Sequence, residues 1–494
     1  MSESTDAISP EGRTTRTTTT PNRISRARVT TAINEAHRTF LKCFDTLALF
    51  KQRQVQAERI VTFQYDLGSA LFALDRLYDV IIARKRAVVA RKAAVSPDWF
   101  RATLRRLDRY AKALDGAVRI GKQLGDTFAW LFYHGYTHLI SEHLKHQGQR
   151  HTPSGIGGKG ELAFIRYPGI FPDHLLLYHG ITSYLRLGDV SLVHLPTMTI
   201  SGVGELKTQV VNDHEATTTI VLIGERDNLQ ERTKVLRERV PRTTTPRPPM
   251  PQAQKDRLQR QIRRIIGLVG IAPATKRAPS NVFANLHQLE DVIKTAGQRL
   301  THRKVDDGLA IVAARPEGGP TLASRLLPRA NPKFARMIRP AKDIAMAIVD
   351  TTSNQNSLIM QEITTGFQPG FTPLFWSPLS PDVLKPLFFL EIAVWSWFNP
   401  LHLVRKLRAR GYEVETGPMG VPERVTAVQR EGQPVMYGLS TFMPLLHQTL
   451  ITEKAFVDQV EQAFQTVAQD RPPDGARVLL HLDQQYGPPL PRTA

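Results

Sequence analysis

The chain carries one cysteine, Cys43, in 494 residues. A lone thiol excludes an intrachain disulfide framework and any zinc cluster built on cysteines, and it points to a reducing, cytoplasmic setting. Long apolar runs are missing too. No stretch reaches the ~18 to 20 apolar residues that a membrane-spanning helix requires. Pro386 to Phe398 is short and contains Glu391, so a buried helix is expected there. The N-terminus opens SESTDAISPEGRTTRTTTTP after Met1, without the apolar segment of a signal peptide. No internal repeat is visible. Acidic residues are the remaining scarcity: 45 Asp and Glu face 65 Lys and Arg, a formal net charge of +20 with a pI near 10.1. Such a surplus calls for a polyanionic partner, nucleic acid ahead of an anionic membrane surface.

What is present suffices for two to four domains with substantial cores. Residues 1–28 and 485–494 read as disordered tails, poor in apolar side chains. From about Val29 to Gln147 the periodicity is helical. One segment runs through Ile33, Phe40, Phe44 and Leu47, and a second through Phe63, Leu67, Leu71, Leu74 and Ile81. Ser96-Pro97-Asp98 is a helix start, a Ser N-cap followed by Pro, opening a third helix to about Leu124. Residues 29–124 therefore read as a basic helical domain. Along its third helix Arg101, Arg105, Arg109 and Lys112 form one stripe, while Leu104, Leu107, Ala111 and Leu114 form another. The basic stripe is readable as a solvated face or as a phosphate-tracking one.

Residues 125–275 read as a separate core. A helix from about Asp126 to Gln147 would place His134, His138 and Glu142 on one face, a spacing at which imidazole and carboxylate ligands converge. It is not a metallopeptidase motif, because Gly135 stands where the required Glu would follow the first His. A loop-rich stretch comes next. Its SGIGGKG lacks P-loop spacing and the Ser or Thr after Lys, which excludes that nucleotide site. Lys159 and Arg166 would border the site from a mobile loop, and Glu161 is a second possible core acid. Two strands joined by a turn then carry Asp189 in the first and Glu205-Leu206-Lys207 in the second. Alternation puts Glu205 and Lys207 on one face with Leu206 on the other. Two acids and a lysine gathered there need compensation, since buried charges cost several kcal/mol each unless paired or metal-bound. A surface hairpin with solvated charges is the competing reading.

At these residues the chain resembles the PD-(D/E)XK, or restriction-endonuclease-like, nuclease superfamily, over about residues 126 to 270. Asp189 matches the first acid and Glu205-x-Lys207 the (D/E)xK element, with Gly188 where the pattern has Pro. The resemblance implies a mixed β core flanked by helices within a multidomain α+β or α/β chain. It also implies a Mg²⁺ or Mn²⁺ ion held by Asp189, Glu205 and the Leu206 carbonyl, with Lys207 orienting the attacking water. An acid from the preceding helix would join them, Glu142 first and Glu161 second. In the helix expected after the strands, residues 252–269, Gln259 and Gln261 are minor site candidates. That helix also offers Lys255, Arg260, Arg263 and Arg264 to nucleic acid, DNA ahead of RNA. A metal-dependent nuclease in restriction or anti-phage defence is what the analogy suggests. An inactive nucleic-acid-binding or complex-assembly protein on the same scaffold is the alternative.

Residues 276–484 read as a C-terminal α/β domain without a catalytic constellation, open to a protein partner; homo-oligomerisation also stays open. Helices are expected at 282–300, 384–398, around Val404–Arg408 and over 453–467. Strands are expected at 308–313, 344–349 and 358–362, with a hairpin through 425–428 and 435–437.

Overall fold

The computed structural model describes residues 24–52, 57–145, 156–166, 174–194, 197, 199–212, 215–224, 234–239, 276–278, 285–297, 300–316, 319–329, 338–349, 358–363, 365–366, 372–428, 434–439, 446–447, 450–469 and 480–482. Most of the two expected tails and the segment 252–269 lie outside them. Three long helices come first: α1 (Arg26–Lys51), α2 (Ala57–Ala90) and α3 (Pro97–Tyr133). Ser25 caps α1 by accepting from Arg28 N at 3.2 Å, so the helix takes in the last three residues of the expected tail. Ser96 caps α3 as its sequence predicts, accepting from Trp99 N.

The third helix does not end near Leu124. It continues to Tyr133 and so crosses the expected boundary between helical region and core. Its glycines are packing positions: a Cβ on Gly121 would meet Phe40 and Leu71 at 2.7 Å, and one on Gly125 would strike the Ile181 carbonyl at 2.0 Å. The helix breaks instead at His134–Tyr136, and α4 (Thr137–Leu144) starts anew. The expected single face of His134, His138 and Glu142 is therefore broken: His134 caps the end of α3, while His138 and Glu142 lie on α4.

A further helix, α5 (Ile156–Ile165), stands where a glycine-rich loop was expected. It precedes a five-stranded antiparallel sheet in chain order: β1 (His174–Tyr178), β2 (Val190–His194), β3 (Thr199–Asn212), β4 (Glu215–Gly224) and β5 (Lys234–Arg239). The last of these lies in the segment 226–251 that reads as an exposed loop. Strand β1 forms an edge of the sheet, and α2 covers it chemically. Gln64 donates to the Leu176 carbonyl at 2.7 Å and accepts from Tyr178 N at 2.8 Å, doing for the edge what a sixth strand would.

The C-terminal region opens with β6 (Lys276–Ala278) and α6 (Leu286–Thr295), then β7 (Thr301–Asp306), β8 (Leu309–Ala314), α7 (Leu322–Arg329), α8 (Ile338–Ile348) and β9 (Ile359–Glu362). It continues with α9 (Pro381–Phe388), β10 (Ala393–Phe398), α10 (Pro400–Ala409), β11 (Glu413–Thr416), β12 (Pro422–Val428), β13 (Pro434–Gly438), α11 (Glu453–Gln469) and β14 (Leu480–Leu482). Two expectations fail. Ile344–Ile348 belongs to helix α8 rather than to a strand, and Val349 follows its end. The expected helix 384–398 is α9 followed by strand β10, which lies between β8 and β9 with all six residues buried. A strand buried on both faces reads as a continuous apolar run, the same pattern as a buried helix. Leu390, at φ 57°, marks the turn between the two.

One connected apolar core joins both halves, from Val29 to Phe464. Phe44 of α1 meets Phe375, Phe388 and Phe389 edge-on or tilted at 5.4 to 5.8 Å. The ammonium of Lys51, at the end of α1, donates to the carbonyls of Phe375, Ser377 and Leu379 at 2.7, 2.6 and 2.5 Å. Among the described residues no helix is long and apolar enough to cross a membrane.

Candidate active site

Asp189 stands one residue before β2, at the end of the sheet where β1 finishes. Its peptide is already in register, with Asp189 N donating to the Gly204 carbonyl at 2.8 Å and its own carbonyl accepting from His179 N at 2.9 Å. The side chain turns along the sheet plane, and Oδ2 accepts from Leu206 N at 2.7 Å. The carboxylate thus takes the place of a β2 carbonyl opposite the middle residue of Glu205-Leu206-Lys207. In an antiparallel ladder a residue's N–H and C=O point to the same side, so the Leu206 carbonyl also faces Asp189. Glu205 and Lys207 share the face expected of them, Oε1 and Nζ 2.5 Å apart and both partly exposed.

The preceding Gly188 has φ +62°, and a Cβ there would lie 2.6 Å from the Gly204 carbonyl. Proline, fixed near φ −65°, cannot occupy this backbone. The departure from the Pro-Asp pattern therefore has a local cause: the chain reaches Asp189 through a left-handed turn pressed against β3.

A third acid joins this pair, and it is Glu161 of α5. The helix packs on the face of β3 that carries Thr208, opposite Glu205 and Lys207. Gly160 permits the approach, since a Cβ would fall 2.0 Å from Thr208 Oγ1 and 2.7 Å from Thr218 Oγ1. Glu161 is buried, and its Oε2 accepts from Tyr178 OH at 2.8 Å. Burial pushes its carboxyl up to about 8, with the charge of Asp189 adding to the effect. Asp189 is raised to about 7, by burial first and by Glu205 second, against the opposing pull of Leu206 N and Lys207. These acids resist ionising together. Glu142, the acid expected from the preceding helix, lies on α4 and pairs with Lys145.

The floor of the site is a buried chain of hydrogen bonds with one consistent assignment of protons. His143 Nδ1 accepts from Arg186 N and Leu187 N at 2.8 and 2.9 Å, so its proton sits on Nε2, 3.2 Å from Tyr133 OH. Tyr133 then donates to Ser191 Oγ at 2.6 Å, Ser191 to His179 Nε2 at 2.6 Å, and His179 Nδ1 to the Gly188 carbonyl at 3.1 Å. All four side chains are buried. The chain runs from α3 and α4 through β2 to the peptide before Asp189 and fixes the turn that aims it. Sequence reasoning missed these residues. The one available signal was polarity inside apolar runs, as with Ser191 in VSLV.

Asp126, near the far end of α3, anchors the same loop by accepting from Ser183 N and Oγ at 2.6 and 2.5 Å. Burial raises its carboxyl to about 6 in spite of these bonds. The basic stripe of Arg101, Arg105, Arg109 and Lys112 is exposed along the first half of α3, as expected. Lys159 of α5 and Arg166 just beyond it are also exposed, and the Arg166 guanidinium stands 5.6 Å from the Tyr65 ring centroid. Lys255, Gln259, Arg260, Gln261, Arg263 and Arg264 lie outside the described residues.

Among the described residues no group of three or more His, Cys, Asp and Glu side chains is arranged to hold a metal ion. Asp189 and Glu205 carry hard oxygen donors of the kind Mg²⁺ and Mn²⁺ select, and Glu205 is near enough to help raise the Asp189 carboxyl. The mutual opposition of the acids is the cost that a divalent cation would remove, so the residues present fit such an ion. The chain thus has an α+β fold carrying a compact cluster of acids and a lysine at one sheet end. No family model matches it, and neither a curated protein nor a solved structure is significantly similar to it.

Proposed function

We propose that the chain is a metal-dependent nuclease that hydrolyses phosphodiester bonds in nucleic acid, DNA ahead of RNA, on a restriction-endonuclease-like core. The observation that carries the reading is the anchoring of Asp189 on Leu206 N between Glu205 and Lys207. Further support is the order of α5, β1, β2 and β3, which brings a helix acid, Glu161, to the same sheet end. The net charge of +20 suits a polyanionic substrate.

Asp189 and Glu205 would hold the ion, with the Leu206 carbonyl. When bound, Mg²⁺ or Mn²⁺ supplies acidity to coordinated water and neutralises charge on phosphate oxygens. Lys207 orients the attacking water and stabilises the charge that develops on the phosphate, a point-charge role suited to an ammonium. Glu205, its ion partner, aims the lysine. Glu161, buried and bonded to Tyr178, adds a further acid beneath the sheet end. The exposed arginines of α3 add affinity with little sequence preference.

The test is incubation of the purified protein with linear, circular and single-stranded DNA and with RNA, in Mg²⁺, Mn²⁺ or EDTA. Cleavage that requires metal and vanishes in Asp189→Asn and Lys207→Met is expected. Salt-dependent binding without cleavage in any metal would overturn the enzyme and leave an inactive nucleic-acid-binding protein.

A further inference from the structure

Two histidines stand directly opposite one another at the end of the sheet remote from Asp189. In the antiparallel register of β1 and β2, Tyr178 pairs with Val190 beside the candidate site, and His174 pairs with His194 at the other end. Four residues at about 3.4 Å each put the pair roughly 14 Å away along the strands. Both side chains are partly exposed, and their ring centroids lie 5.0 Å apart with the planes tilted by 50°. One ring is held by its neighbours. His194 Nδ1 lies 2.8 Å from Thr197 Oγ1, which lies 2.6 Å from Thr199 Oγ1. With Nδ1–H donating to Thr197 and Thr197 donating to Thr199, the lone pair of His194 sits on Nε2. A metal-ligating imidazole is typically fixed in this way, its second nitrogen bonded to an oxygen that sets tautomer and ring orientation. The buried pair His143 and His179, with centroids 5.3 Å apart, differs: all four of its nitrogens have protein partners.

We infer that His174 and His194 form a binding site for a transition-metal ion of the Zn²⁺, Ni²⁺ and Cu²⁺ class, with water completing the coordination. Opposed positions on antiparallel strands bring Cβ atoms to within about 4.5 to 5.5 Å, so both rings reach a common ion. Two imidazoles held tetrahedrally at the usual Zn–N length of about 2.0 to 2.1 Å have ring centres about 5 Å apart. The observed spacing is already that of a shared ion. Imidazole suits these metals, whereas Mg²⁺ and Mn²⁺ select oxygen donors, so this pair and the acids around Asp189 take different ions. With two protein ligands the site is open, which is consistent with the absence of any three-ligand group among the described residues.

What the ion does follows from its place. Strand β1 is an edge strand of five residues. Gln64 closes that edge at Leu176 and Tyr178, toward the Asp189 end. An ion shared by His174 and His194 pins the opposite end of β1 to β2. Because the unfolded chain does not hold the two rings together, binding stabilises the sheet by mass action. The inference is independent of nucleic acid and of cleavage.

The experiment is calorimetric titration of the full chain, stripped with EDTA and dialysed, with Zn²⁺ in excess Mg²⁺ near neutral pH. Thermal melts with and without Zn²⁺ accompany it. A saturable step of one Zn²⁺ per chain is expected, undiminished by Mg²⁺, with a melting temperature that rises on addition. His174→Ala and His194→Ala should each abolish the step and the rise, while melting like the parent in EDTA because both side chains are partly exposed. Thr197→Val keeps both ligands and removes the oxygen that orients one, so it should weaken binding by about 10-fold or more. Cu²⁺ in place of Zn²⁺ gives a readout on the unaltered chain: its paramagnetic resonance spectrum should show coupling to two imidazole nitrogens. Zn²⁺ binding unchanged in the His174→Ala/His194→Ala double variant, displacement of Zn²⁺ one for one by Mg²⁺, or a Cu²⁺ spectrum without two imidazoles would each overturn the site. A failed titration would leave metal-dependent cleavage at the acids untouched. Absence of cleavage would in turn leave the histidine site standing.

Discussion

Asp189 Oδ2 lies 2.7 Å from the backbone N–H of Leu206. That one bond ties the acid before β2 to the centre of the Glu205-Leu206-Lys207 element, and it fixes which atoms face one another. It also separates function from stability at this position, because an amide oxygen accepts the same bond without the charge.

Asp189→Asn is therefore expected to fold as well as the parent while losing activity. In EDTA its melting temperature should equal or exceed that of the parent, since the raised carboxyl is a destabilising charge near neutral pH. Metal-dependent cleavage should fall by about 100-fold or more, the scale of losing a group that acts on the reacting centre. Thermal melts beside cleavage rates decide it; a destabilised variant with normal cleavage would contradict the assignment.

The pH dependence of stability follows from the two raised carboxyls. In the unfolded chain both release protons in the ordinary carboxylate range. In the folded protein Asp189 holds its proton to about 7 and Glu161 to about 8. Between those limits the folded state binds more protons, so their contribution to stability is complete at the acid end and is lost as pH rises toward 8. His37 and His447, both lowered to about 4 by burial, act in the opposite direction between about pH 4 and 6.5. Urea midpoints of the parent minus those of Asp189→Asn/Glu161→Gln, taken from pH 5 to 8 in EDTA, isolate the pair. The difference should decline across that range, and Mg²⁺ or Mn²⁺ should stabilise the parent more at pH 8 than at pH 5.

Gly160→Ala should cost about 1 to 3 kcal/mol, the usual penalty of overpacking. Its methyl group would press on Thr208 and Thr218 at distances no packed Cβ tolerates. Combining it with Thr208→Ala should recover part of the loss, a coupling that a thermodynamic cycle measures. Additive effects would mean that α5 does not meet β3 at Gly160.

Ser191→Ala removes the middle of the buried chain from His143 to Gly188. It leaves Tyr133 OH and His179 Nε2 without the partner they share. A loss of about 1 to 3 kcal/mol in urea denaturation is expected for such an orphaned buried group. A neutral substitution would show that the turn before Asp189 is held by other contacts.

Much of this could be read from the residues in order. The Ser96 cap, the exposed arginine stripe and the placing of Glu205 with Lys207 on one face depend on chemistry a few residues apart. Those are short-range rules, and they hold. Reading failed where long-range contacts override the local pattern. SGIGGKG looks like a loop because its glycines carry no side-chain preference; α5 forms there because Gly160 lets a helix sit directly on Thr208 and Thr218. Ala393–Phe398 looks like more of the helix before it, since burial on both faces erases the alternation that marks a strand. The same limit applied to the acids. Along the chain Glu142 reads as the first choice and Glu161 as the second, and only packing brings Glu161 into the field of Asp189.

By itself, then, the amino-acid order determined the basic charge, the helical character of the region after the N-terminal tail and the Asp189 and Glu205-x-Lys207 candidates, because composition and local spacing suffice for these. Tertiary structure alone decided that α3 passes unbroken from the arginine stripe to the site, that a chain of buried histidines and hydroxyls aims Asp189, and that α5 supplies the third acid. Each of those depends on side chains tens of residues apart meeting in a water-poor interior, where a hydrogen bond or a like charge counts for far more than it does along an exposed chain.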